Sequence, residues 1–237
     1  MATLIFDFDG TIADTLTAIV QITNRLAPAY GFTPTTPDRL AHLRTLTPQQ
    51  LIEQSEIPLF RIPFLIRRVR RELRQEIPNI SPIQGLPEVL VELAQCHQLM
   101  IVSSNAASNI QQFLTLNQLT GLFDPIYANV GLLGKARRLR RILNRHGLLP
   151  SHTLYVGDET RDIAAAHQIG LPVTAVSWGF SSLEALQNQQ PTFVATEPAQ
   201  LQAIASQIGP QGVRPNRGPA RPDAQTTTQS FAPLSAD

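Results

Sequence analysis

Residues 3–15 read TLIFDFDGTIADT, and this stretch decides the fold. Leu4, Ile5 and Phe6 form a short apolar run with almost nothing before it, the pattern of a buried strand. The strand delivers two carboxylates, Asp7 and Asp9, followed at once by Gly10 and Thr11. Side chains two apart on a strand project to the same side, so both acids can face one cleft at its end. Like charges that close repel unless a cation or a proton neutralises one of them. Gly10 lets the backbone turn without a Cβ penalty. Taken alone, the stretch also fits an acidic turn that merely caps a strand, although paired like charges are rare in such a role.

Downstream the pattern is helical before it becomes alternating. Thr15–Ala29 carries Leu16, Ile19, Val20, Ile22 and Leu26 at helical spacing, and Pro63–Ile77 carries Leu65, Ile66, Val69, Leu73 and Ile77 on one stripe. A shorter helix is expected over Thr47–Glu56, with Thr47 as its cap and Pro48 in its first turn. No strand is expected from Thr15 to Ser81, so this is a helical insertion. A Pro/Gly cluster, Pro82–Pro87, then marks a boundary. Strands follow at Leu99–Val102, Ile126–Ala128, Leu154–Val156, Val173–Val176 and Phe193–Val194. Helices alternate with them at Glu88–Gln95, Ala107–Leu116, Lys135–His146, Arg161–Gln168, Leu183–Asn188 and Pro198–Ile208. Such alternation predicts an α/β fold, a Rossmann-like parallel sheet with helices on both faces, carrying an inserted small α-helical cap. The expected division is a core of residues 1–14 and 84–209, a cap of 15–83, and a tail of 210–237 whose Pro/Gln/Thr-rich composition predicts disorder.

At 237 residues and 43% apolar content, the chain can build a sizeable core. A net charge of +1 gives no argument for nucleic acid or a membrane surface as a partner. The lone cysteine, Cys96, cannot form an internal disulfide, no apolar run approaches a membrane span, and the first strand leaves no room for a signal peptide. A cytoplasmic protein is expected. His42, His97, His146, His152 and His167 are scattered and lack zinc-ligand spacing.

In a parallel sheet, ligands bind beyond the carboxyl ends of the strands. There the first strand presents Asp7 and Asp9, the second Ser103-Ser104-Asn105, and the fourth Gly157-Asp158 with Asp162 four residues on. Lys135 opens the helix before the fourth strand. Four acids, a hydroxyl and a lysine around one cleft suggest a divalent cation and a phosphate, and oxygen-only ligands suit Mg²⁺.

The set Asp7-Phe8-Asp9-Gly10-Thr11, Ser104, Lys135 and Gly157-Asp158…Asp162 resembles the four motifs of the haloacid dehalogenase superfamily, in order. The helical insertion resembles the small cap of its subfamily of phosphoglycolate phosphatases and β-phosphoglucomutases. Phe123-Asp124-Pro125 and Val176–Phe180 are similar to the phosphoglycolate-phosphatase-like branch. The resemblance implies that Asp7 is the nucleophile that becomes an aspartyl-phosphate, and that Asp9 is the general acid and then the general base. It implies that Thr11, Ser104, Asn105 and Lys135 serve the substrate phosphate, with Thr11 supporting the loop. It further implies that Asp7, Asp158 and the main-chain carbonyl of Asp9 bind Mg²⁺, with Asp162 behind them. Because the dehalogenases have a non-acidic residue where Asp9 stands, phosphoryl transfer is expected. The expected enzyme is a Mg²⁺-dependent phosphatase acting on a small phosphomonoester. A phosphomutase, or a partner-binding protein on the same fold, remains open. So does its state as monomer or homodimer. Two departures from the branch, Ala136-Arg137-Arg138 after Lys135 and Glu159 beside Asp158, weaken transfer of phosphoglycolate as the substrate. The arginines between Arg61 and Arg74 are read mainly as a solvated helix face, and Trp178 as a loop plug.

Overall fold

In the computed structural model, which describes residues 1–131 and 134–209, the apolar run opening the chain is β1 (Thr3–Phe6). The expected disordered tail, 210–237, lies outside the described residues. Five further strands follow: β2 (Gln98–Val102), β3 (Phe123–Tyr127), β4 (Thr153–Gly157), β5 (Val173–Val176) and β6 (Phe193–Ala195). They form one sheet in the order β3-β2-β1-β4-β5-β6, and every pairing is parallel. β1 is central: Thr3 sits opposite Gln98 of β2 on one side and Thr153 of β4 on the other.

The strands read as continuous apolar runs because both faces are covered. Leu4 and Phe6 enter one core with Leu99, Ile101, Leu154 and Val156, while Ile5 enters the other with Met100, Val102 and Tyr155. Helices α5 (Leu86–Cys96), α6 (Ala107–Leu116) and α10 (Gln200–Ala205) supply the first core. Helices α7 (Lys135–His146), α8 (Thr160–His167) and α9 (Leu183–Asn188) supply the second. Strand order reverses between β1 and β4, which is where a doubly wound sheet opens a crevice.

The insertion between β1 and α5 holds α1 (Leu16–Tyr30), α2 (Pro37–Leu43), α3 (Pro48–Glu53) and α4 (Ile62–Glu76). Its two connections to the core run side by side: Asp14 donates its N–H to Ser81 and Ile83 donates to Ile12, 3.0 Å each. Two elements differ from the sequence reading. α2 is additional; Thr36 caps it by accepting the Arg39 N–H, but none of its residues is buried, so it leaves no apolar stripe. β3 begins at Phe123 rather than Ile126 and contains Pro125, which an edge strand tolerates because no ladder bond needs its missing N–H.

Candidate active site

The polar residues at the strand ends converge. Asp7 follows β1 directly and is 2% exposed. Its Oδ1 accepts the N–H of Phe8 at 2.8 Å, and its Oδ2 accepts from Lys135 Nζ at 2.6 Å. Lys135, the first residue of α7, is also buried and donates to Asp162 as well. Asp162 closes a capping box at the start of α8, with the Glu159 N–H donating to its Oδ2 at 3.2 Å. One oxygen from each of Asp7, Asp158 and Asp162 lies within 4.8 Å of the others.

Asp158, at the end of β4, is clamped on both oxygens. Thr11 Oγ1 donates to Oδ1 at 2.6 Å and the Phe180 N–H donates to Oδ2 at 2.7 Å. The sequence reading gives Thr11 a phosphate contact in addition to a supporting one; in the fold its buried hydroxyl holds the Asp158 carboxylate. Two glycines make this packing possible. A Cβ on Gly10 (φ +74°) would lie 2.3 Å from Asp158 Oδ2, and one on Gly179 would lie 2.2 Å from the same atom. Trp178 fills the space beside this loop, its indole N–H donating to the Thr11 carbonyl at 3.1 Å.

Asp9 stands apart from this cluster, with Oδ1 accepting from Asn105 Nδ2 at 2.9 Å. Ser104 is half-buried on the turn after β2, and the Asn105 N–H is held by Ser103 Oγ at 3.0 Å.

Charge is unbalanced here. Burial raises the Asp7 carboxyl, an effect that Lys135 opposes and Asp162 reinforces. Burial, followed by the charges of Glu159, Asp162 and Asp7, pushes Asp158 well above the usual carboxylate range. Burial and then Asp7 push Asp9 up to about 7. Burial alone would lower Lys135, but Asp162 and Asp7 outweigh it and hold the ammonium protonated. A buried all-oxygen donor set with excess negative charge fits a hard divalent cation.

Three side chains escaped the sequence reading. Arg161, between Asp158 and Asp162, pairs with Glu159, and its charge acts on both Asp7 and Asp9. Asn109, one helical turn beyond Asn105, donates to Asn105 Oδ1 at 2.9 Å and to the Arg70 carbonyl at 3.0 Å. Arg44 ties the insertion to the loop around Asp158, donating to the carbonyls of Gly179 at 2.8 Å and Phe180 at 3.1 Å. The only signal for Arg161 was its place inside the Asp158…Asp162 spacing, and nothing local marked the other two.

Paired acids at the switch point of a parallel sheet, with a buried lysine and a metal-competent carboxylate cluster, define a phosphoryl-handling α/β enzyme. The chain belongs to the haloacid dehalogenase-like hydrolase family, whose sequence model matches residues 4–176. It is 34% identical over 209 residues to a phosphoglycolate phosphatase of Synechococcus elongatus, covering 88% of this chain and 99% of the relative. A phosphoglycolate phosphatase of Agrobacterium fabrum is 27% identical, over 85% and 93% of the respective chains. In fold, a haloacid dehalogenase-like family hydrolase from Streptococcus pneumoniae superposes with a TM-score of 0.70 at 23% identity, covering 86% of this chain and 98% of the other. The protein is a phosphatase of this family, a phosphoric monoester hydrolase. No helix among the described residues is long and apolar enough to cross a membrane.

Proposed function

We propose that the protein hydrolyses a small phosphomonoester, of the phosphoglycolate type, in two steps through an aspartyl-phosphate on Asp7. The observation that carries this reading is the separation of two carboxyl groups: Asp7 lies on Lys135, while Asp9, held by Asn105, has its pKa raised to about 7. A group poised there can both donate and accept a proton near neutral pH. In the first step an Asp7 oxygen attacks phosphorus, the bond from phosphorus to the leaving oxygen breaks, and Asp9 gives that oxygen its proton. In the second, Asp9 takes a proton from water as the water attacks phosphorus, and the bond to Asp7 breaks to release phosphate.

Lys135 opposes the upward push of burial on the Asp7 carboxyl. Its ammonium has three donors, of which Asp7 and Asp162 take two, leaving one for a phosphate oxygen beside Ser104 and Asn105. Asp7, Asp158 and the Asp9 carbonyl would hold Mg²⁺, with Asp162 orienting them from behind. Bound there, Mg²⁺ would supply Lewis-acid screening of the phosphoryl charge. The helical insertion would act as a cap that excludes bulk water.

The test is phosphate release from a panel of phosphomonoesters, with Mg²⁺ and with chelator. Metal-dependent release with phosphoglycolate among the best substrates is expected. An isomeric phosphoester in place of free phosphate would make the protein a mutase, and no turnover of any ester would end the reading.

A further inference from the structure

Arg44, the residue that ends α2, grips the loop between β5 and α9 by three hydrogen bonds. Its Nη2 donates to the Gly179 carbonyl at 2.8 Å and its Nε donates to the Phe180 carbonyl at 3.1 Å. Its own carbonyl accepts the Ser182 N–H at 2.8 Å. Arg44 is partly buried, and among the described residues it makes no ion pair, so this cation directs its donors to main-chain carbonyls of the core.

The same loop holds Asp158. The Phe180 N–H donates to Asp158 Oδ2 at 2.7 Å, and the Ser181 N–H donates to the Asp158 carbonyl at 3.2 Å. Trp178 donates to the Thr11 carbonyl at 3.1 Å, and Thr11 Oγ1 donates to Asp158 Oδ1 at 2.6 Å. Both carboxylate oxygens therefore depend on this loop, one directly and one through Thr11. The Gly179 carbonyl and the Phe180 N–H belong to a single peptide unit. That unit is planar and trans, so its C=O and N–H point in opposite directions. Arg44 sits at one end of this rigid bridge and Asp158 at the other. A cation on the carbonyl polarises the amide and strengthens the hydrogen bond that its N–H makes at the far end. Rotating the peptide would lose both bonds together.

We propose that Arg44 is a positioning residue for the metal: through the Gly179–Phe180 peptide it aims the Asp158 carboxylate, so that the cation site is complete only while the insertion grips the core. This rests on the reading of Asp158 as a Mg²⁺ ligand. Coupling between two sites is reciprocal. The grip raises affinity for the cation, and the bound cation strengthens the grip by the same free energy. The cation thus has a second task beside screening phosphate, which is to hold the insertion against the core.

The experiment titrates Mg²⁺ calorimetrically into the metal-free full chain, with no phosphoester present. Arg44→Met should raise the Kd by about ten-fold, the lower end of the range for losing a group that orients a metal ligand. Arg44→Lys, which keeps the charge without the planar fork, should fall between the two. Arg39→Ala, which breaks a 3.0 Å ion pair to Glu56 inside the insertion, should leave the Kd unchanged. A merely structural Arg44 would lower the melting temperature of the metal-free protein and leave the Kd alone. An unchanged Kd in folded Arg44→Met, or an equal shift in Arg39→Ala, overturns the proposal and leaves Asp158 as a metal ligand. If the wild type binds no Mg²⁺, the metal reading and the proposal fall together. If Arg44→Met does not fold, hydrogen exchange in the wild type decides. Mg²⁺ should slow exchange of the Ser182 amide, which donates to the Arg44 carbonyl, and an unchanged rate overturns the proposal.

Discussion

The strand-end cluster and the outer face of α4 are both crowded with charge and are built in opposite ways. In the cluster, Asp7, Asp158, Asp162 and Lys135 are 3% exposed or less, and each is held by neighbours from other elements. On α4, Arg68 reaches Glu72 at 2.6 Å and Glu72 reaches Arg25 at 3.1 Å, with both arginines largely in solvent. Water and salt screen the second arrangement and leave the first at nearly full strength. Charge density by itself is therefore a poor marker of function, and burial of the charge is a better one. Arg70 lies between the two cases, partly buried on a helix whose other arginines are exposed.

Four changes would break or sharpen this contrast. Asp7→Asn should reduce turnover by at least about 10⁴-fold, as removal of a nucleophile does, while circular dichroism and thermal melting show an intact fold; near wild-type rates would end the covalent mechanism. Asp9 provides the next test through pH. With its carboxyl raised to about 7, the protonated acid is lost as pH rises, so leaving-group protonation should fall about ten-fold per unit above that value. Linkage has the same sign. The unfolded carboxyl, near 3.8, loses its proton before the folded one, so Asp9 contributes most to stability below that value and progressively less as pH climbs to about 7. Melting of metal-free Asp9→Asn across this window should be flatter than wild type.

Thr11→Val probes the layer behind the cluster. Losing the 2.6 Å bond to Asp158 should raise the Mg²⁺ concentration for half-maximal activity by about ten- to a hundred-fold, read from a metal titration, with saturating Mg²⁺ recovering most of kcat. At the small end, Arg25→Ala removes an ion pair whose arginine side chain is 56% exposed, and should change stability by less than about 1 kcal/mol in a denaturant melt. A larger loss there would mean that the insertion's surface charges are coupled more tightly than their exposure implies.

Much of this was legible in the sequence. The apolar runs of β1, β2, β4 and β5 lie within a residue of where pattern places them, because a strand buried on both faces must be apolar throughout. Asp7, Asp158, Asp162 and Lys135 meet because parallel topology sends the ends of β1 and β4 to one edge. Features set by long-range partners were hidden. α2 has no buried stripe to announce it, and Pro125 obscured a strand whose edge position allows it. Thr11 was expected to support its own loop as well as serve the phosphate, and the partner its hydroxyl holds, Asp158, lies 147 positions along the chain. The Arg70 carbonyl accepts from Asn109, which no periodicity links to α4.

The central place of β1 also has a consequence for how the protein is made. A ribosome produces β1 well before its two neighbours, which pair with it through Gln98 and Thr153. Until then β1 is an apolar segment with two open edges, the kind of segment that aggregates or recruits chaperones. The helices of the insertion, built on local contacts, can form in the interval and keep the nascent chain occupied. Assembly of the strand-end cluster must wait for Asp158 and Asp162, so it cannot form until the chain has been made past Asp162.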